Sequence, residues 1–182
     1  MIKYILLGYL KYQPMTGYDL KQSLDHSVSH FWHAHHSQIY TTLRKLDNDG
    51  LVSSEIIPQQ GSPDRRLYTI TAAGQQEMES WINQPMTHIS LLKEEYLVRL
   101  FFSAERNPQE VIAELILQIK LHEEKLQVFY QLQHHLENNA RKEHPEFERD
   151  IHFWLFTLKM GLSFEEMYIQ WLNNTLHEIQ NM

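Results

Sequence analysis

Cysteine is absent from these 182 residues. Disulfides, thiolate metal sites and thiol redox sensing are excluded together, and a reducing compartment suits the chain. Glycine and proline are scarce, at 6 each, which favours long helices over a many-stranded sheet. Long apolar runs are also missing. The opening MIKYILLGYLKYQ is bracketed by Lys3 and Lys11, lacks a small-residue cleavage site, and falls short of the ~20 apolar residues that span a bilayer. There is no glycine-rich phosphate loop, no G-x-S-x-G, no HExxH and no nucleophile with an evident base. The expectation is a soluble cytoplasmic protein that is neither an enzyme nor dependent on a cofactor.

What is present is apolar and aromatic. Hydrophobic residues make up 42 % of the chain, with 8 Phe, 9 Tyr and 4 Trp, enough to bury a core and to exclude general disorder. The formal net charge of −7 is unevenly spread. Residues 1–90 hold 7 basic and 8 acidic side chains, a balance of −1; residues 91–182 hold 9 and 15, a balance of −6. The acidity belongs to the second half, so the bulk charge does not exclude an anionic partner for the first half.

Ile2, Ile5, Leu6, Tyr9 and Leu10 recur at helical spacing. Pro14 ends that helix. Thr16 caps the next, with Asp19 at the capping-box position, and Leu20, Leu24, Val28 and Phe31 line its inner face. HHSQIYTTLRKLDNDG reads as a third helix, stopped by Gly50, with Ile39, Leu43 and Leu46 turned inward. At roughly 100° per residue its outer face presents Ser37, Thr41 and Arg44, flanked by Gln38, Tyr40 and Lys45. LVSSEII and RRLYTIT are strand-like, and PQQGSPD between them is turn chemistry. Thr71 caps a closing helix with Met78, Trp81 and Ile82 inward. Three helices, a β-hairpin and a closing helix make a winged helix-turn-helix, with the third helix suited to a major groove and the hairpin as the wing.

Pro85 lies in a boundary segment. LLKEEYLVRLFF follows as a short apolar helix, then Asn107, Pro108 and Glu110 open a long one with a capping box. Leu115, Ile119, His122, Leu126, Phe129 and Leu136 stripe it towards Glu143, a span of roughly 54 Å at 1.5 Å per residue. His122 is expected as a satisfied core histidine. Beyond Pro145 a second long helix carries Phe147, Ile151, Leu155, Leu158, Leu162, Ile169, Leu172, Leu176 and Ile179. Such faces are usually buried against another subunit. The adjacent pairs Glu94/Glu95, Glu123/Glu124 and Glu165/Glu166 point about 100° apart and are read as solvated faces, not catalytic dyads. The fold class is therefore mainly α with a small β-hairpin: a winged helix-turn-helix over 1–84, a linker over 85–92, and a long-helix dimerisation domain over 93–182.

With these elements placed, YILLGYLKYQPMTGYDLKQSL, FWHAHHSQIYTTLRKLDNDGLV and GSPDRRLYTITAAGQQEMESWI resemble the signature blocks of PadR-type transcriptional regulators. LLKEEYLVRLFF and MYIQWL are similar to the C-terminal helical domain of the subgroup with a long dimerisation arm. The resemblance implies a homodimeric, ligand-responsive regulator, most often a repressor, on inverted-repeat DNA. Many members carry proline after the recognition-helix tyrosine; Thr41 stands there in this chain, which bears on the bases or phosphates met at that point. Around FWHAHHSQIY the sequence looks most like phenolic-acid-responsive members. That likeness implies an effector between the two domains, near Trp32 and His36, with Trp154 from the C-terminal side.

The chemistry of the residues fits DNA. Arg65 and Arg66 sit at the wing, where guanidinium forks match phosphates; strand alternation suggests that one of them faces DNA while Asp64 positions the other. Arg44 and Lys45 add charge, and Ser37, Gln38, Tyr40 and Thr41 supply hydrogen-bonding groups, glutamine being suited to adenine. Two other readings stand beside this one. A winged helix can dock on a protein partner instead of DNA, although a polar third helix and an arginine wing argue against it. His26, His30 and His33, with His35 and His36 beyond, could serve a metal-responsive regulator. Without thiolates or carboxylates in the run, those histidines are assigned as exposed or pocket-lining and no metal site is expected.

Overall fold

The computed structural model describes residues 1–28, 31–59, 61 and 64–182, arranged as two compact units, Met1–Ile89 and Ser90–Met182. His30 and part of the hairpin turn (Gln60, Ser62 and Pro63) lie outside the described residues.

The first unit contains α1 (Ile2–Leu10), β1 (Met15–Thr16), α2 (Gly17–Ser27), α3 (His36–Asn48), β2 (Val52–Ile57), β3 (Arg65–Ile70) and α4 (Ala72–Ile82). Its core joins Leu6, Leu7 and Leu10 of α1, Leu20 and Leu24 of α2, and Ile39, Leu43 and Leu46 of α3. Each fully buried leucine or isoleucine stabilises the unit by about 1.5–3 kcal/mol, so the helical spacing of these residues determines which faces meet. Local chemistry sets the ends. The Thr16 hydroxyl accepts the Asp19 N–H at 3.2 Å, and the Asp19 carboxylate accepts the Thr16 N–H at 3.1 Å, the capping box expected. Gly50, at φ +69°, leaves α3 through the left-handed region that side chains disfavour. The Thr71 hydroxyl accepts the Gly74 N–H at 3.1 Å and starts α4.

β2 and β3 form the expected antiparallel hairpin, in a register that pairs Val52 with Ile70 and Ile57 with Arg65. The sheet also has a third strand, β1, in the order β1-β3-β2, with Met15 opposite Tyr68. Two residues are too short for any alternation to reveal a strand, so only tertiary pairing exposes it. Two inward assignments are corrected. Phe31 lies beyond the end of α2 and is 54 % exposed, and Ile82 is 64 % exposed. Trp81 is held by stacking on Tyr4, with ring centroids 4.2 Å apart.

The second unit contains α5 (Glu95–Phe101), α6 (Pro108–His135), a π-helical turn (Leu136–Ala140), the single turn α7 (Arg141–Glu143), a 3-10 turn (Pro145–Phe147) and α8 (Glu148–Gln180). Asn107 caps α6 by accepting the Gln109 N–H at 2.9 Å; it is this contact, not a box closed by Glu110, that opens the helix. The helical path runs to Glu143 as expected, but with a π turn inside it that periodicity did not signal. α6 and α8 run antiparallel in successive layers. Val111 and Leu115 meet Tyr168 and Leu172, Phe129 meets Leu158 and Leu162, and Ala140 meets Ile151 and Leu155.

One layer between these is polar. Glu165, read from the sequence as solvated, is only 1 % exposed. His122 Nδ1–H donates to Glu165 Oε2, and Lys125 Nζ donates to its other oxygen at 2.7 Å. The His122 ring stacks on Tyr168 at 4.3 Å. Burial by itself raises the Glu165 carboxyl, but the hydrogen bonds from His122 and Lys125 outweigh it and hold the group below the ordinary glutamate value. This layer opposes slippage. A shift of one heptad would set Glu165 against Leu115 and Gln118 or against Phe129 and Leu132, leaving a buried carboxylate unpaired at a cost of several kcal/mol. Among the described residues no helix is long and apolar enough to cross a membrane.

Candidate nucleic-acid interface

α3 is held by its inner face and displays its outer one. Ile39, Leu43 and Leu46 are 0, 0 and 1 % exposed, whereas Ser37, Gln38, Tyr40, Thr41, Arg44 and Lys45 are all exposed. The Gln38 Oε1 accepts the His35 N–H at 3.1 Å, closing the start of the helix. That bond takes one of the two acceptor positions of the Gln38 oxygen, so the residue doubles as a cap while its second lone pair and its N–H groups stay available. The Thr42 hydroxyl donates to the Gln38 carbonyl at 2.7 Å, leaving Ser37 and Thr41 as the hydroxyls that point outward.

On one flank of α3 lies a cleft of about 590 Å³, walled by the starts of α2 and β3 as well as by α3. Arg44, Arg65 and Arg66 converge on it together with Tyr18, Tyr40 and Asp64. Both wing arginines border the cleft, on successive positions of β3. Their surroundings differ. Arg66 Nη1 stands 3.8 Å from Asp47 Oδ2, and Asp47 also accepts the Ser54 hydroxyl at 2.6 Å. Arg65 has no ion pair among the described residues. Asp64, expected to position an arginine, instead accepts the Gln59 N–H at 3.2 Å. Asp47 is therefore the positioning carboxylate. It lies 19 residues from Arg66 in sequence, across a helix-to-strand contact that no local pattern marks.

Tyr40 owes its place to Gly17. A Cβ built on Gly17 would lie 2.5 Å from Tyr40 Cε1, so the phenol rests directly on the backbone that starts α2. Tyr18, the next residue, is 64 % exposed and opens on the same cleft. The sequence reading omitted it, because nothing in its spacing distinguishes a tyrosine facing the wing from one facing solvent.

The other flank of α3 carries a shallower groove of about 410 Å³, bordered by Trp32, His33, Ser37, Gln38, Thr41 and Thr42. Trp32 thus stands beside the recognition helix. His36 is exposed as the first residue of α3 and does not border this groove. Trp154 belongs to the second unit, on α8, with its ring 6.5 Å from that of Phe147. Among the described residues no three histidine, aspartate or glutamate side chains are placed to hold a metal ion; the histidine run includes His30, outside those residues.

The profile of the transcriptional regulator PadR-like family matches residues 6–80, and that of the virulence activator alpha C-terminal domain matches residues 92–180. The negative transcriptional regulator PadR of Bacillus subtilis is 27 % identical over 177 residues, covering 97 % of this chain and 96 % of that protein. The crystal structure of Bacillus subtilis PadR in complex with operator DNA shares the fold at a TM-score of 0.80 and 26 % identity, over 98 % of each chain. The structure of the same protein in complex with p-coumaric acid does so at 0.72 and 24 % identity, over 98 % of each chain. The winged helix-turn-helix, residues 6–80, belongs to the PadR-like family of transcriptional regulators, and the long helical arm that follows it matches the virulence activator alpha C-terminal domain.

Proposed function

We propose that this chain is a cytoplasmic, homodimeric repressor that binds an inverted-repeat operator through α3 and the wing. A winged helix-turn-helix over 1–84 reads the DNA, 85–92 links, and 93–182 dimerises. The observation that carries the reading is the convergence of Arg44, Arg65 and Arg66 on one cleft beside the polar outer face of α3. Guanidinium groups match phosphate oxygens and fix the register, while Ser37, Gln38, Tyr40 and Thr41 reach base edges or neighbouring phosphates and Lys45 adds charge. The repressor sign is supported by the name of the Bacillus subtilis relative, a negative regulator, and DNA as the partner by that protein's complex with operator DNA.

The second copy packs on the arm. Phe153, Phe156, Met160 and Met167 of α8 are 57, 59, 67 and 52 % exposed, spaced 3, 4 and 7 residues apart. At roughly 100° per residue they lie on the side of α8 away from Ile151, Leu155, Leu158 and Leu162. A helix that is apolar on two opposite faces needs two partners. α6 supplies one and a second subunit the other.

Release comes from a small aromatic effector of the phenolic-acid class, with Trp32 as its candidate contact beside α3. The p-coumaric acid complex of Bacillus subtilis PadR supports this class, and an indole face suits a flat ring. Fluorescence anisotropy of the purified protein against DNA from immediately upstream of its own gene tests the proposal, with scrambled DNA of equal length as competitor and p-coumarate added to the preformed complex. Competitor-resistant binding that weakens with salt and is reversed by p-coumarate is expected. Binding no better than to scrambled DNA, at this and other promoters, would refute specific recognition; retained binding at saturating p-coumarate would refute the effector class.

A further inference from the structure

We infer that Tyr18 is a further DNA contact, which together with Arg65 seats one backbone phosphate in the cleft between the wing and α3. The inference rests on the DNA-binding reading above. Tyr18 is the second residue of α2, between the buried Gly17 and a helix face that buries Leu20 and Leu24. Its own side chain is turned the other way. It is 64 % exposed, no described residue bonds its hydroxyl, and it borders the cleft on which Arg44, Arg65 and Arg66 converge.

The contents of the cleft favour a phosphate over a base. Three guanidinium groups line it, and each is a fixed fork of donors with no acceptor. The carboxylate at its rim, Asp64, is engaged by the Gln59 N–H. A phosphodiester presents acceptors only and is met by clustered guanidinium forks without regard to sequence, which suits a cleft lined by three arginines. Ser37 and Thr41, two aliphatic hydroxyls of α3, border the opposite groove together with Gln38. The two flanks of α3 therefore divide the work: the wing side grips backbone and the Trp32 side meets base edges. Within the grip, Arg65 contributes charge and Tyr18 contributes a directed neutral donor, which fixes where along the strand the phosphate sits.

That division is measurable because a phenol carries no charge. Removing an arginine changes both the affinity and its salt dependence, whereas removing the Tyr18 hydroxyl changes affinity alone. The experiment uses the full chain, wild type and Tyr18→Phe, titrated by anisotropy against the operator duplex and a scrambled duplex of equal length over a series of salt concentrations. Tyr18→Phe is expected to weaken both complexes by about tenfold, with the slope of affinity against salt unchanged. A second arm replaces single phosphates by neutral methylphosphonates across one half-site. At one position the wild type is expected to lose affinity while Tyr18→Phe, already lacking the bond, loses markedly less.

Equal affinity of variant and wild type would overturn the inference, as would a loss confined to the operator duplex, which would make Tyr18 a base reader. A methylphosphonate scan with no position at which the two proteins differ would overturn it as well. Because Tyr18 is exposed, the variant should melt with the wild type; a lowered melting temperature would place the residue in the core and likewise overturn the assignment. Failure of the wild type to prefer operator DNA would instead overturn the DNA-binding reading on which this inference rests.

Discussion

Loss of the Arg65 guanidinium should be visible first in the salt dependence of operator binding. Arg44, Lys45, Arg65 and Arg66 are exposed on the proposed interface, giving eight cations in a dimer. If all eight neutralise phosphates, the logarithm of affinity falls against the logarithm of salt with a slope of about −7. Arg66 contributes least of that set, because Asp47 lies 3.8 Å away and offsets part of its charge. Counting only the other six gives a slope of about −5. Over a fourfold rise in salt, from about 50 to about 200 mM, those slopes correspond to losses of about 10⁴-fold and about 10³-fold. Arg65→Ala removes two unpaired cations per dimer and should flatten the slope by about 2. Arg66→Ala should flatten it by less yet weaken binding at every salt concentration, since Asp47 is then left uncompensated beside the DNA. Asp47→Asn added to Arg66→Ala should recover part of that loss. Anisotropy titrations at four or more salt concentrations provide the slopes. An Arg65→Ala slope equal to that of the wild type would remove the wing from the interface. Equal slope changes from the two arginines would remove Asp47 from its positioning role.

Three further outcomes are expected. Gly17→Ala would ordinarily favour a helix by up to about 1 kcal/mol, but here its Cβ would meet Tyr40 at 2.5 Å. The phenol must swing away, so operator affinity should fall about tenfold with little change in melting temperature, and Tyr40→Phe should add little on top; an unaffected affinity would show that the position of Tyr40 is immaterial. The Tyr96 hydroxyl is buried without a partner among the described residues, and burial pushes its pKa up to about 12. Tyr96→Phe removes a desolvated group and should stabilise the arm by about 1 kcal/mol in urea unfolding; destabilisation would mean that the hydroxyl is satisfied. Glu165, with its folded pKa below the ordinary value, contributes stability that is complete above the ordinary glutamate range and is lost as pH falls through the folded value. The arm should thus unfold more readily in acid, with a steeper dependence below about pH 4.5 than Glu165→Gln shows; parallel pH profiles would refute the coupling.

Much of this architecture follows from short-range chemistry. The capping box of Thr16 and Asp19, the stop at Gly50, the cap at Thr71 and the inward stripe of Ile39, Leu43 and Leu46 are each decided within about one helical turn, where a sequence can be read directly. The same holds for the two wing strands and for the long helices beginning at Pro108 and Glu148. The polar outer face of α3 was legible for the same reason: once the inner face is known, the opposite one follows from the 3.6-residue period.

What escaped the sequence depends on contacts between segments that are far apart in the chain. The α8 stripe crosses from Leu162 to Leu172 through Glu165 and Tyr168, and a glutamate reads as surface until His122 and Lys125, some 40 residues earlier, are found against it. β1 is only two residues long, so pairing with β3 and not composition defines it. Periodicity places Arg65 and Arg66 on opposite faces of a strand, but whether both can bend into one cleft depends on Asp47 and on the shape of the wall around them. Sequence by itself therefore determined the main helices, the wing hairpin, most of their buried faces and the charge offered to DNA. Tertiary structure decided which charges are already compensated and which side chains share a cleft, because burial and pairing are properties of two surfaces that local spacing cannot bring together.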